Sequence, residues 1–275
     1  MGSLLAFKRP IFGLAMLLFG VLMITPFIFM LSFSLKPTSE VFIHPLQLIP
    51  QKLYLVNFER LFAHEYYFNW YRNSIVVVFL TILLRSFFVT MAAYAFARLH
   101  FKGKNIMFLL LISTMMIPPD TTIVARFLLY KYMHLVNTHW VIILPAIFDV
   151  FFIFLLRQFF TGIPKELSES ALIDGCSHFK IYYRIILPLA VPALVTMALF
   201  TFIWSWNDFV NPFIFISSIQ KQLVTVGLEY FQKEAGRDYA MQMAGACFIV
   251  IAPIAMFALS QRFFIQGIVM TGIKG

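Results

Sequence analysis

Charge is scarce in this sequence. Only 12% of its 275 residues are Asp, Glu, Lys or Arg, about half the share that a soluble domain carries. Cysteine is scarcer: Cys176 and Cys247 are the only two, which excludes a disulfide framework and a cysteine-rich metal cluster. The six histidines form no H-E-x-x-H pair, and no G-x-x-x-x-G-K-[S/T] phosphate loop is present, so neither a zinc-protease site nor that kind of ATP site is encoded. Acidic residues number 12 against 21 Lys and Arg. What fills the chain instead is apolar. Hydrophobic residues make up 61%, with 34 Phe and a mean hydropathy of +0.86. A soluble protein of this size has too little interior for so much apolar surface. Disorder, a secreted disulfide scaffold and an ordinary soluble enzyme are therefore excluded. The net charge of +9 points to cytoplasmic loops and lipid headgroups rather than to nucleic acid.

A bilayer core of ~30 Å takes ~20 apolar residues in helical form. Six stretches qualify, at about 11–35, 73–97, 105–127, 140–156, 189–209 and 239–261. The first is too long for the apolar region of a signal peptide, and no small-residue cleavage site follows it, so it reads as a retained helix. The second contains Arg85, the third Pro118-Pro119-Asp120 and the fourth Asp149. Backbone polar groups in hydrocarbon must be bonded within their own segment, so the expected class is an all-α integral membrane protein with a single six-helix domain. Six spans put both termini on one side. With the N-terminus inside, inner segments hold 11 Lys and Arg and outer segments 9. The pairs that flank spans closely, Lys8-Arg9 and the crowded turn Arg98, Lys102, Lys104, favour cytoplasmic termini.

The inner segment 157–188 is long and carries its own pattern. Pro164 suits the start of a short helix, Glu166 and Glu169 suit its first turns, and Gly175 suits a left-handed stop. A helix over Lys165–Asp174 is predicted, with Leu167, Ala171 and Asp174 on one side and Glu169 and Ile173 on another. So short a helix is marginal alone. It is either a surface connection between two spans or a face offered to a partner. A second amphipathic stretch, His178–Ile186, leads through Pro188 into the fifth span.

The segment E-S-A-x-x-x-G, nine residues, then I-x-L-P (Glu169, Ser170, Ala171, Gly175, Ile185, Leu187 and Pro188) resembles the loop pattern of permease subunits of ATP-binding-cassette importers. Ser170 is the single departure, since the family usually has Ala there. The sugar-importer branch, and the smaller permease of the maltose type in particular, is resembled by Asn73-Ser74, AAYAFAR at 92–98 with Phe101, Gly103 and Lys104, MMIPP at 115–119, LLRQFF at 155–160, WSWNDF at 204–209 and the closing QRFF…GIKG. The resemblance runs from about residue 10 to the end. It implies a type I importer permease fold whose loop helix is a coupling helix, with Glu169, Ser170, Ala171, Asp174 and Gly175 at the ATPase contact and the tail residues Lys274 and Gly275 reaching towards the same subunit. It implies a heterodimer with a second permease, two ATPase subunits that carry the ATP and Mg, and a soluble or periplasmic substrate-binding protein, all at the bacterial cytoplasmic (inner) membrane. The chain itself would then need no cofactor and catalyse no reaction.

Several residues carry more than one reading. Arg85 costs at least ~2.5–3.5 kcal/mol at the centre of a span, so it must face protein or a water cavity. It is paired with Asp149 or a backbone carbonyl, or is a cavity cation that favours an acidic, uronate-containing oligosaccharide, or snorkels because the span is set differently. Family counterparts of Arg85 are mostly uncharged. Trp206, Asn207 and Asp208, with Trp204, form either a sugar-binding cluster on the translocation path or an interfacial belt. Pro118-Pro119 either bend a cavity-lining helix or serve packing. The rival function is an ion-coupled secondary transporter, suggested by Arg85, Asp120 and Asp149.

Overall fold

The computed structural model describes residues 2–233 and 236–271, with side chains over 12–231 and 236–261. The described chain is almost entirely helical. In order it runs α1 Gly2–Ser34, α2 Thr38–Ile43, α3 Val56–Ala63, α4 Tyr67–Arg98, α5 Lys104–Ser113, α6 Ile123–Tyr132, α7 Trp140–Ile147, α8 Val150–Gly162, α9 Glu166–Ile173, α10 His178–Ile181, α11 Leu187–Leu189, α12 Val191–Trp206, α13 Val210–Phe215, α14 Val224–Gly227, the two-residue strands β1 Gln232–Lys233 and β2 Gly236–Arg237, and α15 Tyr239–Thr271. The strands pair antiparallel. Among the described residues, four helical stretches are long and apolar enough to cross a membrane, and the number rises to six when each of two sharply bent pairs is one span.

The third span bends at the double proline, where a kink was expected, whereas the bend ahead of the fifth was not anticipated. The third span breaks at Ile117-Pro118: Lys104–Met116 and Pro119–Tyr132 meet at 89°. Two successive prolines remove two backbone donors, and the residue before each is pushed out of the helical region. Ile117 and Pro118 accordingly take extended conformations. The fifth span starts at Val191, not 189, after a 78° bend from the His178–Leu189 segment. Pro192 sits in the first turn of α12, where its missing N–H leaves nothing unpaired. The fourth span breaks between Ile147 and Val150, and α8 then continues to Gly162. Six residues expected in the inner loop are thus helical, because no breaker precedes Gly162 and Pro164. The second span begins six residues early, at Tyr67.

The chain divides into two compact units. The first comprises residues 1–68 and 227–252. Its polar anchor is Asp238, which is fully buried. Asp238 pairs with Arg60 at 2.6 Å, accepts a bond from the Thr38 hydroxyl and caps α15 by accepting from the Met241 N–H. Asn57 donates to the carbonyls of Ser34 and Lys36, both at 2.8 Å, so the exit of α1 is tied to α3. Phe58 and Phe62 pack edge-on against Phe248.

The second unit comprises residues 69–226 and 253–275. One core joins α4, α8, α9, α10 and α12 through Val89, Phe152, Leu156, Ala171, Ile181 and Met197. Another joins α4, α6, α7 and α13 through Val77, Tyr130, Val141, Ile143 and Phe215. The chain between α13 and α14 is latched to the start of α4. Trp70 donates to Ile219 O at 2.6 Å, Asn73 to the carbonyls of Gln220 and Gln222, and the Val224 N–H to Ser74 Oγ.

Candidate functional site: a charged cavity and an exposed loop helix

The break between α7 and α8 builds the charged site. Ending α7 at Ile147 leaves the Ala146 carbonyl without the amide partner that a continuous helix supplies. Arg85, 5% exposed, takes it: its Nε donates to Ala146 O at 2.6 Å. Its Nη1 donates to Thr201 Oγ1 at 2.9 Å, and its Nη2 lies 3.3 Å from Asp149 Oδ2. The guanidinium also stacks over Phe152 at 5.2 Å. Asp149 in turn caps α8, its Oδ1 accepting from the Phe151 N–H at 3.0 Å. Arg85 is thus paired with both the carboxylate and the carbonyl.

Arg85 and Asp149 are on the wall of a cavity of about 420 Å³. Its other polar walls are Arg126, Asp208, Asn211 and Ser205, and Trp204 supplies an aromatic face. Asp208 accepts three bonds from Asn211, one from the backbone N–H and two from the side-chain amide. Arg126 reaches Asn211 Oδ1 at 3.3 Å and Pro119 O at 3.4 Å, both near the outer limit of a hydrogen bond. The double proline at 118–119 thus brings Pro119 to the cavity wall.

Two residues expected beside Asp208 are elsewhere. Trp206 is 2% exposed, stacked on Phe202 and edge-on to Tyr71. Asn207 closes α12 by donating back to Ile203 O. Successive helical residues are ~100° apart, so neighbours in WSWND cannot all face one cavity. Trp204 and Ser205 line the cavity from the last turn of α12, and Asp208 reaches it from the non-helical chain beyond Trp206. Arg126 and Asn211 were not singled out from the sequence. The available signal was a lone charge at Arg126 within the apolar stretch Ile123–Leu129.

The loop helix forms where expected, over Glu166–Ile173. It closes with Gly175 at φ +78°, with Gly175 N–H on Leu172 O and Cys176 N–H on Ala171 O, the paired bonds of a Schellman stop. Only Ala171 is buried in it. Leu167 and Asp174, on the same side of the helix as Ala171, are both exposed. Glu169 and Ser170 are also exposed, and Ile173 is 87% exposed. Ser170 turns its hydroxyl back to Glu166 O at 2.9 Å. Past Gly175, Ser177 caps α10 by accepting from the Lys180 N–H, and a π turn at 182–186 carries the chain to α11. Lys274 and Gly275 lie outside the described residues. Among those described, no group of three His, Cys, Asp or Glu is placed to hold a metal.

The sequence pattern described as the binding-protein-dependent transport system inner membrane component matches residues 89–268. Similar proteins include the arabinooligosaccharides transport system permease protein of Halalkalibacterium halodurans, 35% identical over 245 residues and 88% of each chain. That of Bacillus subtilis is 34% identical over 262 residues, covering 94% of this chain and 93% of the relative. Among solved structures, a bacterial ABC transporter involved in import of the acidic polysaccharide alginate superposes with a TM-score of 0.84 at 20% identity, covering 94% of this chain and 97% of that one.

Proposed function

The chain belongs to the family of binding-protein-dependent transport system inner membrane components, and from that membership we propose that it is the permease subunit of an ATP-driven importer that moves an oligosaccharide across the cytoplasmic membrane. The observation that carries the path is the cavity of about 420 Å³. It combines the indole of Trp204 with donors and acceptors on the same wall, as stacking on a sugar ring and bonding to its hydroxyls require. The two relatives named for arabinooligosaccharides support a carbohydrate cargo. A substrate-binding protein delivers the cargo from outside. A second permease completes the path as a heterodimer, and two ATPase subunits, which hold the ATP and Mg, supply the work.

The exposed face of α9 is read as the ATPase contact. Ala171 anchors the helix to the permease core while Glu169, Ser170, Asp174 and Ile173 face outward. ATP-driven approach of the two ATPase subunits pulls on this helix, and the bundle shifts between inward-open and outward-open states, a rigid-body change biased by ligand. With Asp149 engaged by Arg85, little remains of the ion-coupled alternative, and the family membership speaks against it.

The finer reading, that the cargo carries carboxylates, moves from Arg85 to Arg126. Arg85 has a counter-ion. Arg126 makes only long hydrogen bonds at the cavity wall, stacks over Phe215 at 5.7 Å and lies close enough to Asp208 to interact with its charge, and a guanidinium fork matches a carboxylate. The alginate importer establishes for itself that this fold moves an acidic polysaccharide. The test is Arg126→Gln in the reconstituted complex, with transport of a uronate-containing and a neutral oligosaccharide measured side by side. Selective loss of the acidic cargo, about tenfold or more for a desolvated charged contact, is expected. Equal loss for both would mean that Arg126 only shapes the cavity.

A further inference from the structure

A second cavity, about 670 Å³, lies where α4 and α8 end and α5 begins. Its walls carry Lys104, Arg157, Lys165 and His100, with Asn105 as an amide, and no Asp or Glu. Glu166, next in sequence to Lys165, is not part of the wall. Arg157 is held in place by its Nε, which donates to Phe96 O at 3.3 Å, and by the Phe108 ring, 3.9 Å from its guanidinium carbon. Its two Nη atoms have no hydrogen-bond partner among the described residues. The Lys104 ammonium donates to Leu99 O at 2.8 Å. Three full positive charges from three separate segments therefore converge on one concave space without a counter-ion on its wall. Like charges so gathered repel one another, and an anion in their midst removes that cost.

The apolar surroundings specify the kind of anion. Phe96, Phe101 and Ile106 share the wall with the cations. From Ile106 an exposed stripe continues along α5 through Leu109 and Leu110, at 67%, 68% and 62% exposure. These positions, i, i+3 and i+4, lie on one face of the helix. The stripe leads from the charged cavity, at the end of the spans, towards the hydrocarbon level. A soluble phosphate would use the cations and leave the stripe bare. A phospholipid uses both, with its phosphate among Lys104, Arg157 and Lys165 and its acyl chains along Ile106, Leu109 and Leu110. We propose that this cavity binds the headgroup of an anionic phospholipid. A zwitterionic headgroup would bring its own cation into a site that already holds three. Basic pockets between spans on the cytoplasmic side are suited to such headgroups. A phosphate there bridges the turn after α4 to the segment that enters α9, so occupancy steadies the base of the loop helix. This inference goes beyond the transport reading and needs only that the chain spans a membrane.

The test uses the purified importer complex in nanodiscs of phosphatidylcholine with one part in ten phosphatidylglycerol. After transfer to detergent, the lipid that remains bound is measured by native mass spectrometry. Removal of one cation weakens retention of phosphatidylglycerol about fivefold in Lys104→Gln, Arg157→Gln and Lys165→Gln. Lys102→Gln, which removes an equal charge from the same turn but outside the cavity wall, leaves retention as in the parent. The Lys165 ammonium makes no hydrogen bond or ion pair among the described residues, so that variant removes charge without a structural contact and decides the matter should Arg157→Gln fail to assemble. The proposal is overturned by any of four results: retention unchanged in the three cavity variants; an equal fall in Lys102→Gln, which would mark a general surface potential; phosphatidylcholine retained as firmly as phosphatidylglycerol; or displacement of the lipid by millimolar inorganic phosphate, which would mark a site for a soluble anion.

Discussion

Arg85 and Gly175 are single residues whose surroundings account for the residue type found there. Arg85 is held by a carbonyl, a hydroxyl and a carboxylate, and the carbonyl is available only because α7 stops. Removing one partner of a buried pair leaves the other charge uncompensated. Asp149 is partly exposed, with 21% of its side chain accessible, so the expected cost of Asp149→Asn is below the fully buried case, about 2 kcal/mol. Arg85→Gln should cost as much or more, since it also frees Ala146 O. The double variant Arg85→Gln/Asp149→Asn should recover part of the loss in thermal unfolding of the complex. A double variant no more stable than the sum of the single losses would show that the pair is not coupled. Gly175, at φ +78° with open space where a Cβ would stand, is constrained by backbone conformation and not by crowding. Gly175→Val should destabilise the loop by about 1–2 kcal/mol, whereas Gly175→Asn, which tolerates the left-handed region, should lose little. Comparing ATP-driven transport in the two variants separates conformation from bulk: equal loss in both would point to bulk against a partner.

At the scale of elements, α9 has one buried side chain and a ring of exposed ones. A helix this short gains little from its own hydrogen bonds, so Ala171 packing and the Gly175 stop hold it to the permease. The exposed Ile173 stands next to outward-facing polar residues, the composition of a face awaiting cover. Two classes of variant should therefore diverge. Glu169→Lys and Ile173→Asp should leave expression and membrane insertion intact while reducing co-purification of the ATPase subunits severalfold. Ala171→Asp should instead lower the yield of folded permease, because a carboxylate would enter the core shared with Phe152 and Ile181. Co-purification unaffected by both outward variants would remove α9 as the docking helix. The bent elements repay the same view. The breaks at Ile117-Pro118 and at Ala190 turn short segments across the direction of the spans, and the first of them brings Pro119 to the charged cavity.

For the whole molecule, the arrangement proposed is six crossings with both termini in the cytoplasm. In a background lacking Cys176 and Cys247, a single cysteine placed within 40–65 should react with a membrane-impermeant maleimide added outside, and one within 165–180 should not. The reverse pattern would reject the orientation and with it the cytoplasmic position of α9. Much of this level was legible in the sequence because it rests on composition. Apolar runs of ~20 residues have few alternatives to a bilayer, and Pro164, Glu166, Glu169 and Gly175 set a helix start and stop through local backbone chemistry alone. The helical, membrane-spanning class and the loop helix therefore followed from the chain by itself, as did the family resemblance carried by Glu169, Ala171, Gly175 and Pro188. Tertiary structure decided the rest. The partner of Arg85 depended on where α7 breaks, a choice made by packing, since Pro145 lies inside the helix and the break comes after it. The membership of the charged cavity depended on which faces of α6, α12 and α13 converge, so Arg126 and Asn211 entered it while Trp206 and Asn207 did not. The gathering of Lys104 with Arg157 and Lys165 likewise depended on elements meeting, because Lys104 precedes the other two by more than 50 residues and charges so far apart acquire a common field only when the fold brings them within reach.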